Sequence, residues 1–121
     1  MDRIVAVVDD DESVRESLPD LLREFGLGAS AFASAQEFLD HAYIADIQCL
    51  ILDIVMPGMS GPELQRELIR RGYAIPTIFI TARSTDSIPA DLFQRGTVKC
   101  LFKPFSGADL RAALDAALLQ T

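Results

Sequence analysis

Short apolar runs alternate with amphipathic stretches along the whole chain. Arg3–Val8 is β-branched and apolar and reads as a strand. Val14, Leu18, Leu21, Leu22 and Phe25 then recur at offsets 0, 4, 7, 8 and 11, one face of a helix that Gly26 and Gly28 end. Ala29–Ala33 is a short, weak strand. Ser34-Ala35-Gln36-Glu37 has the form of a capping box and opens a helix to about Ala42. Gln48–Asp53 is an apolar strand ending in an acid, followed by the turn Met56-Pro57-Gly58-Met59. Ser60-Gly61-Pro62-Glu63 caps a third helix, which runs to about Arg71 and stops at Gly72. Ala74–Thr81 is a buried strand, and Ala82–Ser87 a polar loop. Pro89 suits the first turn of a fourth helix, which reaches about Arg95 and is closed by Gly96. Val98–Phe102 is a fifth strand. Ser106 and Asp109 cap the last helix, whose stripe is Leu110, Ala113, Leu114, Ala117 and Leu118.

Five strands and five helices in strict alternation predict an α/β fold. The middle strands are continuous apolar runs, as expected where helices cover both faces of a parallel sheet. Right-handed crossovers then give a doubly wound three-layer sandwich, one domain over residues 1–121.

The chemistry gathers at the strand ends. Asp9, Asp10 and Asp11 follow the first strand, Asp53 closes the third, Thr81 the fourth, and Lys103-Pro104 the fifth. In an open parallel sheet these carboxyl ends form the ligand crevice. Acids, a hydroxyl and an ammonium meeting there suit a divalent metal and a phosphoryl group. Asp53 is the candidate nucleophile, since a carboxylate can take a phosphoryl group as an acyl phosphate. Asp9 and Asp10 would repel an anionic donor unless a cation intervenes, and Mg²⁺ prefers this all-oxygen setting. Lys103 offers a second positive charge to Asp53 or its phosphoryl oxygens, and Thr81 a hydroxyl donor. Each residue alone also has an ordinary role: Asp11 as a helix cap, Asp53 as a turn residue, Thr81 as a strand former, Lys103 as a solvated charge. Their order on successive strand ends is what argues for a site.

Composition narrows the classes. Eleven basic against eighteen acidic residues give a net charge of −7, a poor basis for holding a nucleic-acid backbone. No apolar run approaches the roughly 20 residues of a membrane span. Met1-Asp2-Arg3 leads straight into a strand, unlike a signal peptide. Cys49 and Cys100 sit in apolar runs and read as two reduced, buried thiols of a cytoplasmic protein. His41, at the end of the second helix, has no acid–base partner at motif spacing. Arg66, Arg70 and Arg71 read as a solvated helix face.

The ordered markers Val8-Asp9-Asp10-Asp11-Glu12, Leu52-Asp53, Met56-Pro57-Gly58-Met59-Ser60-Gly61, Ile80-Thr81-Ala82 and Phe102-Lys103-Pro104-Phe105 resemble the receiver domain of two-component response regulators over essentially the whole chain. Val8–Arg15 and Ser34–Leu39 look most like the FixJ/NarL-type branch, whose members often carry a C-terminal helix-turn-helix. The resemblance implies a flavodoxin-like (βα)5 fold with sheet order 2-1-3-4-5. It implies that Asp53 is phosphorylated by a sensor histidine kinase, or by small phosphodonors. Asp10, Asp53 and the Val55 backbone carbonyl would ligate Mg²⁺, and Asp9 would act mainly through a water. Thr81 and Lys103 would sense the phosphoryl group, and the face of the fourth helix, fifth strand and last helix would switch. The expected outcome is a phosphorylation-linked homodimer and transcriptional output through a separate DNA-binding domain. The alternative is a stand-alone or atypical receiver serving as a phosphorelay or interaction module. On this reading the chain is a phosphoacceptor rather than an enzyme.

Several positions modulate that picture. The family usually has an aromatic three residues before the lysine; here it is Cys100, so the relay from Thr81 is expected to be muted or carried by the Arg83–Pro89 loop. Ala82 and Arg83 follow the threonine. Val55 and Arg83 occupy the positions that often set acyl-phosphate lifetime, and they predict slow autodephosphorylation. An aspartyl-nucleophile phosphatase would need a second acid two residues after its nucleophile; after Asp53 that position is Val55, and only Asp9 with Asp11 has the spacing. A dinucleotide fold would need glycines where the three acids stand.

Overall fold

The computed structural model describes residues 3–82 and 96–119. Among these, five parallel strands form one sheet: β1 (Ile4–Val8), β2 (Gly28–Phe32), β3 (Ile47–Asp53), β4 (Thr77–Thr81) and β5 (Thr97–Phe102). Their order is β2-β1-β3-β4-β5, as expected. The described helices are α1 (Glu12–Glu24), α2 (Ala35–His41), α3 (Gly61–Arg70) and α4 (Gly107–Leu118). The helix expected over Pro89–Arg95, and Arg83 with its loop, lie outside the described residues.

The period of two along each strand sorts side chains into two layers. Val5, Val7, Cys49, Ile51, Ile78 and Ile80 pack under Leu18 and Leu22 of α1 and Leu110 and Leu114 of α4. Ala6, Val8, Leu50, Leu52 and Phe79 face the other way, against Phe38 of α2 and Leu64 and Leu68 of α3. Because both faces are covered, β4 is buried along its whole length. The outermost strand β2 is half-exposed, which explains its weak apolar signal.

Caps fix where the helices start, and so where the sheet's carboxyl edge opens. Asp11 Oδ1 accepts from Ser13 N at 2.9 Å, the capping role expected of it. Ser60 and Glu63 form a complete capping box, with bonds of 3.3 and 3.1 Å. At α2 the box is displaced: Ser34 Oγ accepts from Glu37 N at 3.0 Å, but Glu37 reaches past it to Ala33 N at 2.6 Å.

Three expectations need correction. β4 starts at Thr77 rather than Ala74, because Pro76 accepts from Leu50 N but has no N–H to return. A 3₁₀ turn, Ile44–Asp46, feeds β3 one residue earlier than Gln48. Only Cys49 is fully buried; Cys100, on β5 at the opposite edge of the sheet from β2, is half-buried, and both thiols are free.

Gly61 ties α3 to the end of β3. A Cβ there would overlap the Asp53 carbonyl oxygen and lie 3.0 Å from its carbon and 3.1 Å from Ile54 Cα, all backbone atoms that cannot swing aside. Gly61 N also donates to Ile54 O at 3.0 Å. Gly61→Ala should therefore lower stability by about 1–3 kcal/mol, the usual cost of overpacking. Urea denaturation monitored by circular dichroism checks this, with unchanged stability as the contrary result.

Candidate functional site

The register of the sheet brings the strand-end residues to one edge. Val8 pairs with Leu52, and Asp53 with Ile80, so Asp9 and Thr81 stand one residue beyond the partners of β3's end. Thr81 pairs with Phe102, which places Lys103 next along the edge. The backbone holds that alignment: Asp9 N donates to Phe32 O, Ile54 N to Ile80 O, and Lys103 N to Thr81 O, at 3.1, 3.0 and 2.8 Å.

Carboxylate oxygens of Asp9, Asp10 and Asp53 lie within 4.8 Å of one another. Their surroundings differ sharply. Asp9 is fully enclosed, Asp53 is 6% exposed and Asp10 is open to solvent. Asp9 Oδ1 accepts from Asp11 N at 2.9 Å, and Oδ2 from Lys103 Nζ at 2.8 Å. Lys103 Nζ stands 3.8 Å from Asp53 Oδ2. The lysine therefore bridges two acids and sits closer to Asp9, whereas the sequence pointed to Asp53 as its partner. Each oxygen of Asp9 already accepts a hydrogen bond, while Asp10 is exposed; together the three carboxylates form an all-oxygen group that could hold a metal ion, and hard oxygen donors suit Mg²⁺.

The electrostatics follow. Burial, then the Asp9 charge, push the Asp53 carboxyl up from 3.8 to about 7; Lys103 opposes this, a hydrogen bond with Asp9 adds to it, and the Val55 backbone amide works against it. Burial alone would lower the Lys103 pKa, but its hydrogen bond to Asp9 and the charges of Asp53, Asp9 and Asp11 outweigh that and hold it above the ordinary lysine value. Asp53 is thus a carboxylate whose negative charge is incompletely compensated by the protein.

The other expected residues fall around this centre. Thr81 is 1% exposed at the end of β4, and Ala82 beside it is open to solvent. Val55 is 44% exposed and borders a groove with Met56, Ser60, Glu63 and Arg66. Cys100 packs toward the α2–α3 layer beside β4. Arg83 lies outside the described residues. His41 stands away from the centre, near Tyr43 and Asp46. Arg70 and Arg71 both bond Glu67, at 2.5 and 2.6 Å, forming a small surface ion-pair cluster.

Two residues had drawn no role from the sequence. Arg15 Nη1 donates to the Asp9 carbonyl at 3.0 Å. Its signal was a cation near a helix N-terminus, the wrong end for the helix dipole. Gln65 is 4% exposed, and its Nε2 donates to Thr97 Oγ1 at 3.0 Å, linking α3 to β5. On an amphipathic helix its polar side chain gave no hint of burial.

Comparison with known proteins agrees with this geometry. The family model for the response regulator receiver domain matches residues 5–115. The response regulator protein TodT of Pseudomonas putida is 38% identical over 115 residues, covering 95% of this chain and 51% of TodT. The transcriptional regulatory protein FixJ of Azorhizobium caulinodans is 40% identical over 114 residues, 94% of this chain and 54% of FixJ. The structure of the response regulator StyR superposes with a TM-score of 0.92 at 40% identity, covering 99% of this chain and 61% of StyR. The chain thus spans about half the length of the curated relatives it matches. Flavodoxin-like topology, an acidic edge and these matches lead to one conclusion: the chain belongs to the response regulator receiver domain family.

Proposed function

We propose that Asp53 is the phosphoacceptor of this receiver. The observation that carries the reading is the buried Asp53 carboxylate between Asp9, Asp10 and the Lys103 ammonium at the sheet's carboxyl edge. Receivers of two-component systems are phosphorylated by histidine kinases, and they are signalling domains rather than turnover enzymes. In the transfer, an Asp53 oxygen bonds to phosphorus as the P–N bond to the kinase histidine breaks. The imidazole nitrogen keeps that electron pair, and an acyl phosphate remains on Asp53.

Asp10, Asp53 and the Val55 carbonyl would hold Mg²⁺, which supplies charge neutralisation between the carboxylates and the phosphoryl oxygens. Lys103 would pair with a phosphoryl oxygen while keeping Asp9, and Thr81 would donate its hydroxyl. Cys100 and Ala82 would modulate the relay to the surface, Val55 offers no side-chain hydrogen bond to orient an attacking water, and Arg83, outside the described residues, would shield the site or pair with phosphate. We take residues 1–121 as one receiver domain working in the cytoplasm. Its output is transcriptional, through homodimerisation and a DNA-binding domain beyond this chain; the half-length match to the transcriptional regulator FixJ supports that reading. Among the described residues no helix is long and apolar enough to cross a membrane, and the net charge of −7 disfavours direct nucleic-acid contact.

Incubation with acetyl phosphate or phosphoramidate and Mg²⁺ should add one phosphoryl group by intact mass, and Asp53→Asn should abolish the gain. An unmodified wild-type chain, or a modified Asp53→Asn, would contradict the assignment.

The lifetime of the product is the next expectation. Val55 cannot hydrogen-bond an attacking water, so the acyl phosphate should decay slowly, and Val55→Asn should shorten its half-life several-fold. A decay within seconds that Val55→Asn leaves unchanged would count against this.

Stability should depend on pH through Asp53. Its folded pKa, about 7, exceeds the ordinary 3.8, so the folded chain binds this proton more tightly than the unfolded one. That contribution is complete below about 3.8 and is lost as pH rises through about 7. In chelator, the thermal midpoint should fall between about pH 5 and pH 8, Mg²⁺ should restore it mainly at the higher pH, and Asp53→Asn should flatten the profile. Melting curves at matched ionic strength test this; a wild-type profile as flat as that of Asp53→Asn would refute it.

A further inference from the structure

Among the described residues, Asp10 is the one member of the Asp9, Asp10 and Asp53 group whose carboxylate no bond holds. Asp9 is fixed at both carboxylate oxygens, and Asp11 caps α1 through Ser13. Asp53 sits at the end of a buried strand. Among the described residues the exposed Asp10 carboxylate has no hydrogen bond or ion pair, so its place is set by the backbone of the β1–α1 turn alone. What fixes that turn therefore fixes Asp10.

The turn is pinned on one side by the Asp9 amide, which donates to Phe32 O. On the other side the Asp9 carbonyl, in a fully enclosed residue, accepts from Arg15 Nη1 at 3.0 Å. Buried carbonyls need such a partner. Arg15 is the fourth residue of α1, and helical side chains lean back toward the N-terminus, which brings its guanidinium over the turn. The helix dipole disfavours a cation there, while Asp9, Asp10, Asp11 and Glu12 favour it. The result is a strap across six residues, from helix to strand end, enclosing Asp10 and Asp11.

We propose that Arg15 is a positioning residue for Mg²⁺: by holding the Asp9 carbonyl it keeps the Asp10 carboxylate beside Asp53. This rests on the reading of Asp10 and Asp53 as metal ligands. It differs in sign from a simple charge effect. Removing a cation from beside three acids would by itself tighten binding of a divalent cation, whereas releasing the turn weakens it.

Mg²⁺ titration of the full chain without phosphodonor, followed by ¹⁵N amide shifts of Asp10, Asp11, Asp53 and Val55, separates the two. Arg15→Met should weaken Mg²⁺ binding about tenfold, as loss of outer-shell support commonly does. Arg15→Lys, which keeps a donor and the charge, should recover part of it. Arg15→Gln serves as the neutral variant if Arg15→Met does not fold. Leu68→Ala, a core truncation in the α3 layer, should lower the melting temperature and leave Mg²⁺ affinity unchanged. Neutral variants that bind Mg²⁺ as tightly as wild type, or more tightly, overturn the proposal while wild-type phosphorylation on Asp53 stands. A wild-type chain that binds no Mg²⁺ overturns both readings.

Discussion

A carboxylate sealed from water has to be met by donors at both oxygens, and in this domain Asp9 imposes that demand. Its answer comes from two directions: the Asp11 amide two residues ahead and the Lys103 ammonium from the far end of the sequence. Removing the ammonium from such a buried ion pair costs on the order of 3–5 kcal/mol, because the Asp9 charge is left without compensation. The turn that precedes α1 and the placement of Lys103 after β5 both satisfy this one group. The chemistry next to it is built on what that arrangement leaves over.

What it leaves over is Asp53. Lys103 is committed first to Asp9, at 2.8 Å, and reaches Asp53 only at 3.8 Å. Asp53 is thus buried beside a like charge with a partial counter-charge, and its carboxyl rises to about 7. The protein stores an electrostatic deficit at Asp53, the proposed phosphoacceptor, that a divalent cation can relieve. A fully neutralised Asp53 would be a more comfortable structural residue and a poorer site for cation-assisted phosphoryl transfer.

Much of this was legible in the sequence because burial on both faces writes long apolar runs, and the strand ends then stand out. Leu50–Leu52 followed by Asp53, and Ile78–Ile80 followed by Thr81, carry both the strand and the position of the pocket. Asp11, Ser60 and Ser106 announce their helices through local chemistry. Distances across the fold were not legible. Lys103 and Asp9 are separated by 94 residues, and no spacing rule says which of two neighbouring acids the ammonium will prefer. Arg15 reads as an ordinary helix residue until its side chain is seen to fold back. Pro76 moved the start of β4 by a hydrogen-bonding constraint that the apolar pattern of Ala74–Thr81 conceals, and Gln65 is buried by a contact to Thr97 that its own helix does not foretell.

The same 94-residue separation gives the site a property of assembly. The acids at positions 9 to 11 emerge from synthesis early, and Asp53 midway, while the ammonium that balances them arrives only with β5. Long-range closure of this kind comes late in folding. Until the fifth strand docks, Asp9 and Asp53 lack the Lys103 ammonium, and Arg15 offers its guanidinium only to the Asp9 carbonyl, so on the proposed function a half-made chain is not yet a phosphoacceptor. On that proposed function, competence to receive a signal is tied to the docking of β5.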